Sequence, residues 1–388
     1  MKTKRSIPYG HQSIDDADIA AVEAVLRSDW LTQGPAIARF EAAVAARCGA
    51  RYAVAVCNAT AALHIACLAM GIKPGDRVWT SPNTFVASAN CARYCGAVID
   101  FVDIDPDTLN LSVDKLAKKL AEAERAGRLP QLLIPVHFAG QSCDMANIRQ
   151  LADRYGFRLL EDASHAIGGS YRGLPVGACS FSDAAVFSFH PVKIITTGEG
   201  GMVVTNDEKL YRQLLLLRSH GITRDPDLME GENEGAWYYQ QVALGFNYRM
   251  TDMQAALGES QMIRLDGFVA RRRELVARYQ KAFADAPIQL QSVIESTDPA
   301  WHLFIIQTLR PEQRRPLFNA LRAAGIGVNV HYIPVHTQPD FGRLGFRRGD
   351  FPYAEDYYER AISLPLYAGL SDEDQDYVIE QVLKGLRG

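Results

Sequence analysis

The chain has 388 residues, of which 48% are hydrophobic, and a formal net charge of −4 at pH 7. That length exceeds what one core usually holds, so two domains are expected. The slight acidity argues against a nucleic-acid or anionic-membrane surface and leaves a small molecule as the expected partner. The seven cysteines are odd in number, lie mostly in apolar stretches and show no zinc-finger spacing, as in a cytoplasmic protein with reduced thiols. The basic start Met-Lys-Thr-Lys-Arg-Ser-Ile-Pro lacks the apolar stretch of a signal peptide, and no uninterrupted apolar run is long enough to cross a bilayer.

In chain order, Ser13-Ile-Asp-Asp16 predicts a helix start with Ser13 as the cap and Asp16 at the third helical position. Ile19, Val22, Val25 and Leu26 then share one face, and Asp29-Trp-Leu-Thr-Gln-Gly34 breaks the helix. From residue 36 strands alternate with helices: strands 52–57, 77–80 and 97–102, helices 59–70, 84–95 and 112–125. Three more βα-like units follow, with strands near 131–136, 157–161 and 184–189. The rhythm predicts an α/β fold, a mainly parallel sheet covered by helices on both faces, with its ligand at the carboxyl ends of the strands.

Residues 225–235, acidic and Gly/Asn-bearing, read as an exposed loop. Thr251 to about Ala286 reads as one long helix joining two domains, with Ala255, Ala256, Met262, Leu265 and Val269 on its apolar side. Beyond it a strand is expected at 302–309, a helix at 311–324, a strand at 327–332 and a final helix at 371–385 opened by Ser371. The expected division is a large domain over 1–250, N-terminal arm included, and a smaller α+β domain over 251–388.

The chemistry gathers at strand ends. Lys193 lies in Ser188-Phe-His-Pro-Val-Lys193-Ile-Ile-Thr-Thr-Gly-Glu-Gly-Gly201, and about thirty residues earlier Glu161-Asp162-Ala-Ser-His165 closes a strand with a carboxylate. An amine to hold an aldehyde and a carboxylate to keep a ring nitrogen protonated are what pyridoxal phosphate requires, so Lys193 reads as a Schiff-base lysine. Asn58-Ala-Thr60-Ala-Ala-Leu63 opens a helix after a strand; its amides and the Thr60 hydroxyl suit a phosphate, or Asn58 is an ordinary cap. Phe85 is placed to face a flat ring or to fill a core, and Asp162 meets a pyridinium or caps a helix. His165 contacts the cofactor or packs on the sheet, and Ser188 offers another phosphate hydroxyl.

Eight blocks in order carry a resemblance over nearly the whole length: Leu31-Thr-Gln-Gly-Pro35 with Phe40-Glu41, Asn58–Leu63, Thr84-Phe85, Glu161–His165, the Lys193 run, Gly245–Gly258, Val330-His-Tyr332 and Ile362-Ser-Leu-Pro365. The chain resembles the fold-type-I pyridoxal-phosphate aminotransferases that act on nucleotide-linked keto sugars, the DegT/DnrJ/StrS-like group. The resemblance implies an aspartate-aminotransferase-like fold, with a large domain on a mainly parallel sheet and a smaller C-terminal α+β domain. It implies that Asp162 faces the pyridine nitrogen, Phe85 stacks on the ring, and Ala59, Thr60 and Ser188 hold the phosphate. It further implies a homodimer in which Asn247 reaches toward the partner's phosphate, with L-glutamate as donor. Tyr9, Asp29, Trp30, Leu31, Thr32, His331, Tyr332, Ile333 and Pro334 match segments that line the sugar-nucleotide pocket in the family, together with Ala59, Ser188 and Asn247. Ser188–Lys193, Arg218-Ser-His-Gly221 and Ser164-His165 look most like members that aminate C4 of a UDP-linked 4-keto-6-deoxy sugar on the route to pseudaminic acid.

Overall fold

Short apolar runs such as Leu132-Leu-Ile134 and Ala184–Ser188 have no polar face to show to water, so they sit in the middle of a sheet buried on both sides. In the computed structural model, which describes residues 5–387, seven strands form that sheet. They are β1 (Tyr52–Val56), β2 (Arg77–Thr80), β3 (Val98–Phe101), β4 (Leu132–Ile134), β5 (Arg158–Asp162), β6 (Ala184–Ser188) and β7 (Gly201–Thr205). Their spatial order is β1-β7-β6-β5-β4-β2-β3. Six strands run parallel, and β7 runs antiparallel to both of its neighbours.

The strand β7 was not among those expected from the sequence, and it changes the last βα unit into a hairpin. Residues 189–200 are its loop, pinned at the neck by Phe189 N–H donating to Gly200 O (2.9 Å) and Thr197 N–H to Phe189 O (3.0 Å). The expected run to residue 189 ends at Ser188, where the ladder with Gly201 ends.

Helices α1 (Asp16–Leu26), α2 (Pro35–Cys48), α3 (Ala59–Ala69), α4 (Ala87–Tyr94), α5 (Val113–Arg125), α6 (Met145–Tyr155) and α7 (Glu208–Arg218) flank the sheet, joined by α8 (Asp252–Ile263) and α9 (Leu265–Ala282). The alternation of strand side chains sorts them. Val54, Val56 and Val186 pack with α3, α4 and α7, whereas Ala53, Ala55 and Phe187 pack with α2 and α8. Trp79, Leu133 and Leu159 extend that second layer beneath α5 and α6.

Two boundaries differ from expectation for local reasons. The cap of α1 is Asp15, whose carboxylate accepts the Asp18 amide while Asp18 accepts the Asp15 amide in return; Ser13 is instead held by its carbonyl, which accepts from Gln261 (2.9 Å). Of the expected apolar face, Val25 is buried but Ile19 and Leu26 are exposed. The single long helix from 251 is broken at Arg264 (φ −99°, ψ 0°), whose guanidinium pairs with Asp15, the cap of α1, and with Asp18 in its first turn. Leu265, Phe268 and Val269 still belong to the large core, while Leu275, Val276 and Tyr279 belong to a second one, so the change of core occurs within α9.

That second core lies under a three-stranded sheet, β8 (Ile288–Leu290), β9 (Phe304–Thr308) and β10 (Ala361–Leu364), in the order β8-β9-β10. Helices α10 (Pro311–Ala323), α11 (Pro352–Arg360) and α12 (Asp372–Arg387) accompany it, and Ser371 caps α12 through its hydroxyl on the Asp374 amide (3.1 Å). Residues 327–332 do not form the expected strand: only Asn329 bridges Ser363, and the Asn329 side chain takes the Val330 amide (2.8 Å). The N-terminal arm, expected with the large domain, packs on this smaller unit, with Ile7 buried and bridged to Ile326. Arg272 of α9 is fully buried without a carboxylate partner, and its Nη1 donates to the carbonyls of Trp301 (3.2 Å), His302 (3.3 Å) and Leu366 (2.9 Å). It ties α9 to the strand entrance beside the cleft described next.

Candidate active site

Val56, Gly201 and Ser188 lie side by side at the end of three adjacent strands, so β1, β7 and β6 deliver their termini to one edge of the sheet. At this edge Asn58 caps α3, its Oδ1 accepting the Ala61 amide (2.9 Å), while the Ala62 amide bonds to Asn58 O (3.1 Å). The first-turn amides of Ala59 and Thr60 have no intrahelical acceptor and lie at the positive end of the helix, an anion site beside the Thr60 and Ser188 hydroxyls. Gly201 makes the close approach possible: a Cβ there would stand 2.6 Å from Ala59 N and from the carbonyl of Asn58.

Asp162 ends β5 at the same edge and is 5% exposed. Its Oδ1 accepts from the Ser164 hydroxyl (2.6 Å) and amide (3.1 Å), and its Oδ2 from the Ser88 hydroxyl (2.6 Å). Three donors thus replace the water that this buried carboxylate has lost. Lys193 comes from the β6–β7 loop and faces the same cleft. Burial pushes its amine down to about 8, against the opposing pull of the Asp162 charge.

The cleft measures about 950 Å³ and lies between the large sheet's edge and the smaller unit. Phe85, expected within a helix, sits in the turn just before α4 and is 58% exposed on the cleft wall, its ring tilted toward that of Tyr332 with centroids 6.2 Å apart. Opposite, Tyr9, Asn329, His331 and Tyr332 bring the arm and the smaller unit to the cleft. The Tyr332 hydroxyl lies 3.0 Å from His165 Nε2, and His331 Nδ1 lies 2.8 Å from the Ser363 hydroxyl. Burial holds His165 and His302 well below the usual imidazole range and His331 at about 4, each reinforced by the Lys193 charge. Three neutral imidazoles thus surround Lys193 at pH 7 without adding charge.

The cleft thereby unites Tyr9, Ala59, Thr60, Phe85, Asp162, His165, Ser188, Lys193, His331 and Tyr332. It does not include Asp29, Trp30, Leu31 and Thr32, all exposed before α2, nor Asn247, exposed beside Ser219, nor Ile333 and Pro334. Ser88, Ser164, Glu199, His302 and Asn329 also line it without having been assigned from the sequence. Ser88, in the first turn of α4, lies four residues beyond Thr84 of the preceding turn, whose hydroxyl it meets at 2.7 Å. No motif in the sequence marks His302.

The donor set fits pyridoxal phosphate on its own terms: a free amine of lowered basicity, a buried carboxylate held by three donors, an exposed aromatic wall and a helix N-terminus share one cleft. A model of the DegT/DnrJ/EryC1/StrS aminotransferase family matches residues 12–383. The chain is 40% identical to the spore coat polysaccharide biosynthesis protein SpsC of Bacillus subtilis (strain 168), across 100% of this chain and 99% of that one. Among solved structures it is similar to Spr1654 of Streptococcus pneumoniae, described as a sugar aminotransferase, in its PMP form (TM-score 0.91, 31% identity, 98% of this chain and 99% of that one). A further likeness is to PseC of Helicobacter pylori, an aminotransferase involved in the biosynthesis of pseudoaminic acid (TM-score 0.90, 30% identity, 99% and 100%). The chain belongs to the DegT/DnrJ/EryC1/StrS aminotransferase family: it is a transaminase of fold type I, and its cofactor is pyridoxal phosphate.

Proposed function

We propose that this family member moves the amino group of L-glutamate to C4 of UDP-2-acetamido-2,6-dideoxy-β-L-arabino-hex-4-ulose, giving UDP-4-amino-4,6-dideoxy-N-acetyl-β-L-altrosamine. The observation that carries the reading is the placement of Lys193 and Asp162 in one cleft of about 950 Å³, wide enough for a cofactor and a sugar nucleotide together. The choice of sugar is supported by the full-length likeness to PseC and by the sequence around Ser188–Lys193. The 40% identity to SpsC favours a second reading, an aminotransferase for another nucleotide-linked keto sugar of a cell-surface polysaccharide.

When bound, pyridoxal phosphate supplies an aldehyde that holds the amino group and a protonated ring that takes up the electrons released at the neighbouring carbon. Lys193 is the residue to carry the proton between substrate and cofactor carbons. With its amine at about 8, roughly a tenth of it is neutral near pH 7, some hundreds of times more than for a solvated lysine. Asp162 would hold the ring nitrogen's proton, Phe85 would cover the ring, and the Ala59 and Thr60 amides with the Thr60 and Ser188 hydroxyls would anchor the phosphate. Tyr9, Asn329 and His331 present a polar, uncharged wall to the sugar. Lys193 is the one lysine or arginine among the described lining residues. A homodimer whose second chain brings Asn247, with Asp29–Thr32 at the junction, would complete the site. The exposed Trp30 and Leu31 favour that arrangement.

The test offers the cofactor-loaded protein L-glutamate with each of the two C5-epimeric UDP-2-acetamido-2,6-dideoxy-4-hexuloses and identifies the amino sugar by mass and NMR. Turnover of the L-arabino epimer alone supports the assignment. Amination of the D-xylo epimer alone, or of neither, moves the substrate to another sugar nucleotide.

A further inference from the structure

Asp162 has a limited capacity to accept hydrogen bonds, and most of it is already used. An ionised carboxylate offers about four acceptor directions, two on each oxygen. Oδ1 takes two donors, the Ser164 amide at 3.1 Å and the Ser164 hydroxyl at 2.6 Å. Oδ2 takes one, the Ser88 hydroxyl at 2.6 Å. A single acceptor direction therefore remains, on Oδ2, the oxygen that Ser88 shares.

The proton order around Ser88 follows from the same count. The Ser88 proton has a second acceptor in reach, the Phe85 carbonyl at 3.4 Å, but the short bond to a charged oxygen is the stronger. With that proton given to Asp162, the contact of 2.7 Å between Ser88 Oγ and Thr84 Oγ1 leaves Thr84 as the donor. Thr84 and Ser88 are both buried, so no water competes for these bonds. Thr84 belongs to the turn that also presents Phe85, which links the carboxylate to the cleft's aromatic wall.

We propose that Thr84 and Ser88 are positioning residues that fix the rotation of the Asp162 carboxylate and leave Oδ2 as the one acceptor for the cofactor's ring nitrogen. Ser88 then shares that oxygen with the ring proton and sets how strongly the proton is held. This rests on the placement of Asp162 against the ring nitrogen proposed above. The relay ties the strength of the electron sink to the turn before α4 and to that helix's first residues.

The experiment compares Ser88→Ala, Thr84→Val and Asp162→Asn as cofactor-loaded proteins, reading the visible absorption as a function of pH and the single-turnover reaction with glutamate. In Ser88→Ala the loss of one charge-assisted donor should free the carboxylate to rotate away from the ring nitrogen and so shift the pH dependence of the cofactor's visible absorption. The limiting rate should fall about tenfold, with the concentration of glutamate at half-saturation unchanged. Thr84→Val should move both readouts the same way by less. A Ser88→Ala protein whose absorption titrates like the parent's, while Asp162→Asn is altered, overturns the relay. If Asp162→Asn also titrates and reacts like the parent, the placement of Asp162 itself fails.

Discussion

Replacing Lys193 by methionine should make the cofactor-free protein more stable near neutral pH while abolishing turnover. The amine lies at about 8 in the folded chain against 10.5 for the ordinary side chain, so the unfolded chain binds more protons between these values. Stability therefore rises with pH across that window, and below it the folded state bears the whole cost of a charge it solvates poorly. The displacement corresponds to about 3 kcal/mol, and allowing for water that reaches the half-buried amine reduces it to about 2 kcal/mol. Methionine keeps the stem's volume and packing without the charge. For a chain of this length the gain equals roughly 2–3 °C in melting temperature. Thermal unfolding of the two cofactor-free proteins at several pH values measures it. The advantage should fall below half by about pH 9.5 and be gone near pH 11. A variant that melts below the parent near neutrality, or an advantage that does not shrink in alkali, would refute the argument that desolvation, not a specific contact, governs this amine.

Three further outcomes follow from contacts already described. Asp162→Asn has its amide orientation dictated by Ser164, whose two donors keep the carbonyl at the Oδ1 position and turn the NH₂ toward the cleft; the glutamate half-reaction should slow by about 10²-fold or more, with the cofactor's phosphate still anchored, measured by single-turnover absorbance and cofactor retention. Gly201→Ala drives a methyl to 2.6 Å from the Asn58–Ala59 peptide, so the phosphate turn must shift; cofactor affinity should drop at least about tenfold and stability by about 1–3 kcal/mol, read by fluorescence titration and melting. Arg272→Ala strands three carbonyls and opens a cavity under the strand entrance; a loss of about 3 kcal/mol or more is expected in denaturant unfolding, and a loss under 1 kcal/mol would show that these bonds are replaced by water.

Much of the large sheet was readable because its strands and helices each occupy a short window with its own period. The groups at its carboxyl edge were readable because Asn58–Thr60, Glu161–His165 and Ser188–Lys193 each fall within a few residues of a strand end. The parts that escaped depend on contacts distant in sequence. Gly201-Met-Val-Val-Thr205 has the apolar run of a buried strand, but nothing in a run states its direction or its place between β1 and β6. The break at Arg264 carries no Gly or Pro signal, and the carboxylates that hold its guanidinium lie some 250 residues earlier. Residues 327–332 have a strand's composition, yet their polar side chains are used by the cleft. Asp29–Thr32 and Asn247, matched by resemblance to the substrate site, lie away from the cleft of their own chain, and a single chain's geometry offers them no ligand.

The hairpin between β6 and β7 has a consequence for how the molecule is made. Lys193 is carried on a loop whose neck closes through residues only eight to eleven positions apart, Phe189 with Thr197 and Gly200, so its shape needs little long-range chain closure. The partners of β7, by contrast, are β6 nearby and β1 about 150 residues before it, and joining them waits for the slow, non-local step. The loop that carries Lys193 is therefore shaped by contacts close in sequence, whereas the anion cradle across from it, at Asn58 and Ala59, is completed where Gly201 of β7 meets β1 from the far end of the large domain's sequence.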